Sequence, residues 1–237
     1  MATIPDPTIA LLTDFGTIDI YVGTMKAVMA RLCPHARFID ITHAIQPQNI
    51  QQGAFNLFTS CRYFPPGTVF LVVVDPGVGS IRRPLAARAG EYTFIGPDNG
   101  VLTYALAEYE DVRAVELSNP EYRLDMPSHT FHGRDIFAPA AAHLANGVPL
   151  EDFGPPVDDY YRLPPLLLDI NGSSISGEVI HIDHFGNLVT SIGEIRRSSS
   201  GSLYLIAPFS LSGKRQPVLT LPASVSISLG KLKLARI

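Results

Sequence analysis

Two short apolar runs constrain this 237-residue chain more than any other feature of its sequence. Residues 9–13 lead into Asp14-Phe15-Gly16, and residues 69–74 lead into Asp75-Pro76-Gly77-Val78-Gly79. Five of the six residues from Val69 to Val74 are β-branched or aromatic. A run of that length with no polar alternation fits a strand buried on both faces, the condition met in parallel sheets covered by helices. Both runs end on a carboxylate followed by glycine, where the chain can turn tightly.

Helical patterns lie between the strands. After Asp19, residues Val22, Met25, Val28, Met29 and Leu32 recur at helical spacing until Pro34. Residues 38–41 read as a strand, and 49–63 as a second helix closed by Pro65-Pro66-Gly67. Residues 86–89 and 92–95 form a hairpin around Gly90-Glu91. Asn99-Gly100 opens a short helix over 101–108, and 112–117 is another strand. Residues 135–146 read as an Ala-rich helix with Gly147 at its C-terminal cap. Strands alternating with helices define an α/β fold: a mostly parallel sheet covered by helices. In such sheets ligands bind beyond the carboxyl ends of the strands, where Asp14 and Asp75 fall.

The pattern changes after the Pro/Tyr-rich stretch 158–165. Short runs at 175–182, 188–192, 203–206, 218–221 and 224–229 are separated by Gly, Pro and Ser, with a serine-rich stretch at 198–202. We therefore expect an α/β N-terminal domain over 1–165 and a small all-β, barrel-like C-terminal domain over 166–237.

Composition narrows the function. The net charge is −4 with no Lys/Arg-rich run, which gives no electrostatic footprint for a nucleic acid. No apolar run approaches the ~20 residues needed to span a bilayer, and the N-terminus lacks the basic and apolar regions of a secretory signal, so a cytoplasmic location is expected. Cys33 and Cys61 form no CxxC pair and read as reduced, buried thiols. HExxH, a paired CxxC, GxGxxG, GxxxxGK[ST] and GxSxG are all absent from the sequence, so neither a metal nor a nucleotide cofactor is expected.

Three segments carry chemistry. In Asp75-Pro76-Gly77-Val78-Gly79-Ser80-Ile81-Arg82-Arg83, Arg82 lies seven residues from Asp75 and can fold back to hold it ionised; a structural turn with a surface ion pair would read the same way. In His129-Thr130-Phe131-His132-Gly133-Arg134-Asp135, His132 has a side chain suited to hold or move a proton near neutral pH, and Asp135 can cap the helix that follows. The other histidines, His43 among them, read as structural. Asp183-His184-Phe185-Gly186-Asn187 has the composition of a hairpin turn.

Taken in order, TDFGTID (13–19), ITHAIQPQNI (41–50), VVVDPGVGSIRR (72–83), GPDNG (96–100), TFHGRD (130–135) and HIDHFGNLVT (181–190) resemble the S-adenosylmethionine (SAM) hydroxide adenosyltransferases, adenosine-forming SAM hydrolases related to fluorinases and chlorinases. The resemblance covers about residues 8 to 195. It implies that Asp75, Arg82 and His132 hold and activate a water. It also implies that Asp14 grips the ribose diol, that Asp183 takes the methionine ammonium, and that Phe131, Phe185, Asn187, Tyr21 and Gln48 line the pocket. It further implies a metal- and cofactor-free reaction and a homotrimer whose sites lie between subunits. Halogenating relatives carry Tyr at the position of Asp75. A carboxylate ~4 Å from a halide repels it by ~4 kcal/mol at an effective dielectric of 20. From about Arg196 onward the family pattern is not recognisable. That leaves a non-catalytic SAM or adenosine binder as the alternative, with a SAM-dependent halogenase behind it.

Overall fold

The computed structural model describes residues 6–171 and 174–192, together with four strands of the remaining C-terminal region. The chain divides into two compact units, Met1–Leu163 and Pro164–Ile237.

The first unit is built on a six-stranded sheet. Its strands are β1 (Thr8–Thr13), β2 (Arg37–Thr42), β3 (Val69–Val73), β4 (Pro84–Ala89), β5 (Tyr92–Pro97) and β6 (Val112–Glu116), in the order β2-β1-β3-β5-β4-β6. β1 runs parallel to both β2 and β3, and β3 runs parallel to β5. β4 is antiparallel to both β5 and β6. The sheet is therefore mostly parallel, with the 90–91 hairpin inserted near one edge.

The double burial expected of the two apolar runs follows from their alternation. Ile9, Leu11, Val69, Leu71 and Val73 enter one core with helix α1 (Tyr21–Leu32) and helix α4 (Ala138–Ala145). Ala10, Leu12, Phe70, Val72 and Val74 enter a second core on the opposite face, with α2 (Ile50–Cys61) and α3 (Thr103–Leu106). Both strands are buried along their whole length.

The direction of winding reverses at β1. The chain passes from β1 to β2 on one side and then to β3 on the other. Ligands of open α/β sheets bind at such a reversal, outside the carboxyl ends of the strands. Asp14 and Asp75 are the residues that leave β1 and β3 there. The pairing of Thr13 with Val73 puts their departures side by side.

Several boundaries differ from the sequence reading. The helix expected over 101–108 is only Thr103–Leu106, because Asn99 ties the preceding turn: its Oδ1 accepts the Val101 N–H and its Nδ2 donates to the Val74 carbonyl. The helix expected over 135–146 begins earlier, as a π-helical turn over Gly133–Phe137 that continues into α4. Gly147 ends it at φ +88°, as glycine can without a Cβ clash. Asp135 does not serve as a cap (below). Cys33 and Cys61 are buried free thiols, and burial pushes Cys61 up to about 11.

The second unit contains β7 (Leu168–Asn171), β8 (Ser174–Gly177), β9 (Val179–Ile182), β10 (Leu188–Thr190), β11 (Glu194–Arg197), β12 (Leu203–Ile206), β13 (Val218–Leu221) and β14 (Ser226–Leu229). They form three small sheets: β10-β9, β11-β12-β13 and β14-β8-β7. The run 175–182 is two strands broken after Gly177, where a Cβ would collide with Ile192. β7 and β11 were not foreseen. The serine-rich stretch 198–202 and the start of the run at 224–229 lie outside the described residues. No described helix is long and apolar enough to cross a membrane.

Candidate active site

Asp75 follows β3 with its side chain only 4% exposed. Arg82 folds back over it, Nε donating to Oδ1 at 2.9 Å and Nη2 to Oδ2, a two-point grip that fixes the carboxylate plane. Gly79, at φ +77°, permits this return; a Cβ there would run into the carbonyl oxygen of His129. The turn is thereby seated against the segment that carries His132.

Arg82 Nη2 also lies 2.8 Å from Nδ1 of His132, fifty residues further along the chain. A guanidinium has only donors, so Nδ1 is the acceptor and the neutral imidazole carries its proton on Nε2. Burial, with the adjacent Arg82 charge, holds the His132 pKa below the ordinary imidazole range. Arg82 packs over the Phe137 ring at 5.4 Å. Its Nη1 is buried and makes no hydrogen bond among the described residues. Arg82 is thus the centre of the cluster, and it keeps one nitrogen, Nη1, unspent.

Asp135 secures the segment before it. The carboxylate is 1% exposed and accepts from Arg134 Nε at 2.6 Å, from the Ser128 N–H at 2.8 Å and from Ser128 Oγ at 2.8 Å. Burial opposes its charge, but Arg134 and Ser128 outweigh that and hold its pKa low. The expected capping role is replaced by a brace that fixes the loop bearing Phe131 and His132.

Asp14 follows β1, the strand paired with β3. Its Oδ2 accepts the Gln48 N–H at 2.8 Å, and Gln48 holds φ +66°, a left-handed conformation that non-glycine residues adopt only where surroundings enforce it. Gln48 therefore contributes its main chain to Asp14. Phe15, Tyr21 and Phe131 form an aromatic wall, with ring centroids 5.1 to 6.1 Å apart. Gly133 lets the rings approach, since a Cβ there would meet Phe131, Phe15 and Met25. Phe15 was not singled out from the sequence, although its place between Asp14 and Gly16 in the first motif was a usable signal.

Asp183, Phe185 and Asn187 belong to the second unit, in the turn between β9 and β10. Asp183 Oδ1 accepts the N–H groups of Phe185 and Asn187, and Oδ2 accepts Asn187 Nδ2 at 2.6 Å. These bonds, the Asn187 amide first, hold Asp183 below the usual carboxylate range. Phe185 is 87% exposed. Among the described residues, no group of three or more His, Cys, Asp or Glu side chains is placed to hold a metal ion.

Carboxylate-bearing turns at the winding reversal of an α/β sheet lie where such sheets bind small molecules, and comparison with known proteins gives the family. Residues 9–154 match the SAM hydroxide adenosyltransferase N-terminal domain. The chain belongs to the SAM hydroxide adenosyltransferase family. It is 42% identical over 231 residues to an (R)-S-adenosyl-L-methionine hydrolase of Salinispora tropica, covering 96% of this chain and 85% of that one. The likeness thus continues past residue 196, where recognisable motifs stop. A crystal structure of an uncharacterized conserved protein from Thermotoga maritima is 44% identical, with a TM-score of 0.74 over 78% of this chain and 71% of that one. At lower identity, 32% over 84% of this chain and 76% of the relative, stands a fluorinase of an Actinoplanes species.

Proposed function

We propose that this chain hydrolyses SAM to adenosine and methionine, with a water-derived oxygen attacking the ribose C5′. The observation that carries the reading is the Asp75–Arg82–His132 chain with its buried, unspent Nη1 donor.

The sulfonium is a good leaving group and needs no acid. As the new C5′–O bond forms, the C5′–S bond breaks and its electron pair leaves on the methionine thioether. The task is to place the oxygen in line with that bond and to stabilise its negative character. Arg82 uses one lone-pair site on each Asp75 oxygen, which leaves acceptor capacity for a proton of the nucleophile. Nη1 supplies a donor that cannot be deprotonated, and His132 supplies a second through Nε2–H. With Nδ1 engaged by Arg82, His132 acts as a donor to the oxygen rather than as its base, so the proton passes to Asp75 or to solvent.

The same geometry refines the argument against a halide. Arg82 offsets the charge of Asp75, so bare repulsion is smaller than for a lone carboxylate. The remaining lone pairs of Asp75 still require a proton donor, which water is and a halide is not.

Asp14 is assigned to the ribose hydroxyls, and Phe15, Tyr21 and Phe131 to the nucleoside faces. Asp183, with Phe185 and Asn187, is assigned to the methionine ammonium. We place the protein in the cytoplasm, acting without metal or organic cofactor, with SAM as its partner. A homotrimer with sites between subunits is supported by apolar side chains exposed on the first unit, namely Ile18, Ile20, Ile81 and Met126. Light scattering on the purified protein should give the mass of three chains. Incubation with SAM, with and without chloride or fluoride, should yield methionine and, as the sole nucleoside, adenosine. A 5′-halogenated nucleoside, or binding without turnover, would overturn the reading.

A further inference from the structure

Thr13, the last residue of β1, is completely buried. Its hydroxyl oxygen accepts the Phe15 N–H at 3.2 Å and lies 2.9 Å from Nδ1 of His43. A threonine hydroxyl has one proton to give. On the other side of the ring, Nε2 lies 3.1 Å from Asp40 Oδ1, off the line of an ideal hydrogen bond, and Asp40 accepts Lys26 Nζ at 2.7 Å. Burial opposes ionisation of Asp40, but Lys26 and His43 outweigh it and keep this carboxylate charged. A charged neighbour favours the His43 proton on Nε2, so Nδ1 is free to accept from Thr13.

The main chain of His43 acts on the same turn. Its carbonyl accepts the Gly16 N–H at 2.8 Å. One side chain, 5% exposed, therefore holds the start of the turn through Thr13, and its own carbonyl holds the end through Gly16. Asp14 sits between those two points.

We infer that His43 is a positioning residue for Asp14, fixing the turn that carries the ribose-binding carboxylate and so setting recognition of the two sugar hydroxyls without touching the substrate. The inference rests on the assignment of Asp14 to the ribose. A histidine that only filled the core would affect stability and leave sugar discrimination untouched.

The test compares the binding of adenosine and 2′-deoxyadenosine by isothermal titration, alongside KM and kcat for SAM. The wild-type protein should prefer adenosine by roughly tenfold or more, the loss expected when a site group is left without its hydroxyl partner. His43→Leu should raise the KM for SAM by about tenfold, keep kcat within about threefold, and reduce the preference to about threefold or less. His43→Asn places an oxygen where Nδ1 stands and should recover most of the preference. If His43→Leu does not fold, Thr13→Val carries the same expectation. Variants that melt earlier but keep the wild-type KM and preference would overturn the inference while leaving the ribose assignment standing. A wild-type protein that fails to distinguish the two nucleosides would overturn both.

Discussion

Two carboxylates in this molecule are held at both oxygens, and they are held in opposite ways. Asp75 is gripped by residues seven and, through Arg82, fifty-seven positions away, and its side chain is almost wholly buried. Asp183 is held by residues two and four positions on, within an exposed turn. The first arrangement exists only when the sheet, the 75–83 turn and the 128–135 loop are all in place. The second is a property of five consecutive residues. On the roles proposed for them, Asp75 gains from a dry, over-determined setting in which to act on bond formation, whereas Asp183 can receive a solvated ammonium from a surface turn.

Breaking the buried cluster should have the largest effect. Arg82→Met removes the partner of both Asp75 and His132. Adenosine release should fall by about 10³-fold or more, and urea denaturation should show a loss of ~3–5 kcal/mol, the cost of leaving a buried charge unpaired. If turnover persisted, Arg82 would not be the centre of the site. Next comes His132→Ala, expected to lower kcat by about 10²-fold while the Kd for SAM, measured by titration, stays within about threefold. The exposed carboxylate should answer differently. Asp183→Asn is expected to raise the KM for SAM by about tenfold with kcat nearly unchanged, and an equal fall in kcat would erase the contrast.

The smallest effect is in acid. Burial and Arg82 depress the His132 pKa, and burial depresses that of His143. An unfolded imidazole takes up its proton near pH ~6.5. Between that value and the lower folded value, the unfolded chain binds more protons, so stability should be complete above about pH 6.5 and fall as pH drops through this window. His132→Asn should flatten the part due to His132 and leave the share of His143. Melting curves between pH 7.5 and 5 would show an unchanged slope if His132 were not depressed.

The sequence disclosed whatever depended on local pattern. The doubly buried strands were legible because each is a continuous apolar run, and the position of Asp14 and Asp75 followed from the rule for open α/β sheets. The Asp75–Arg82 pair could be anticipated because a Pro/Gly turn separates its members. The link from Arg82 to His132 spans fifty residues and has no local signature. Gln48 gave no warning of its left-handed backbone, since glycine or asparagine usually marks that conformation. Asp135 looked like a cap because it opens an Ala-rich helix, yet Ser128 and Arg134 claim both of its oxygens. His43 read as a core histidine because what distinguishes it is its geometry against Thr13, not its neighbours in sequence. Strands β7 and β11 are short and too polar to stand out.

The in-register pairing of β1 with β3 has a consequence for how such a site can diversify. The spacing between the turns that carry Asp14 and Asp75 is set by main-chain hydrogen bonds, which side-chain exchange does not alter. With the proposed roles of Asp14 and Asp75, a substitution at the tip of one strand can change the attacking atom without disturbing the handhold on the neighbouring strand. The sheet acts as a ruler, and the reaction can be rewritten one mark at a time.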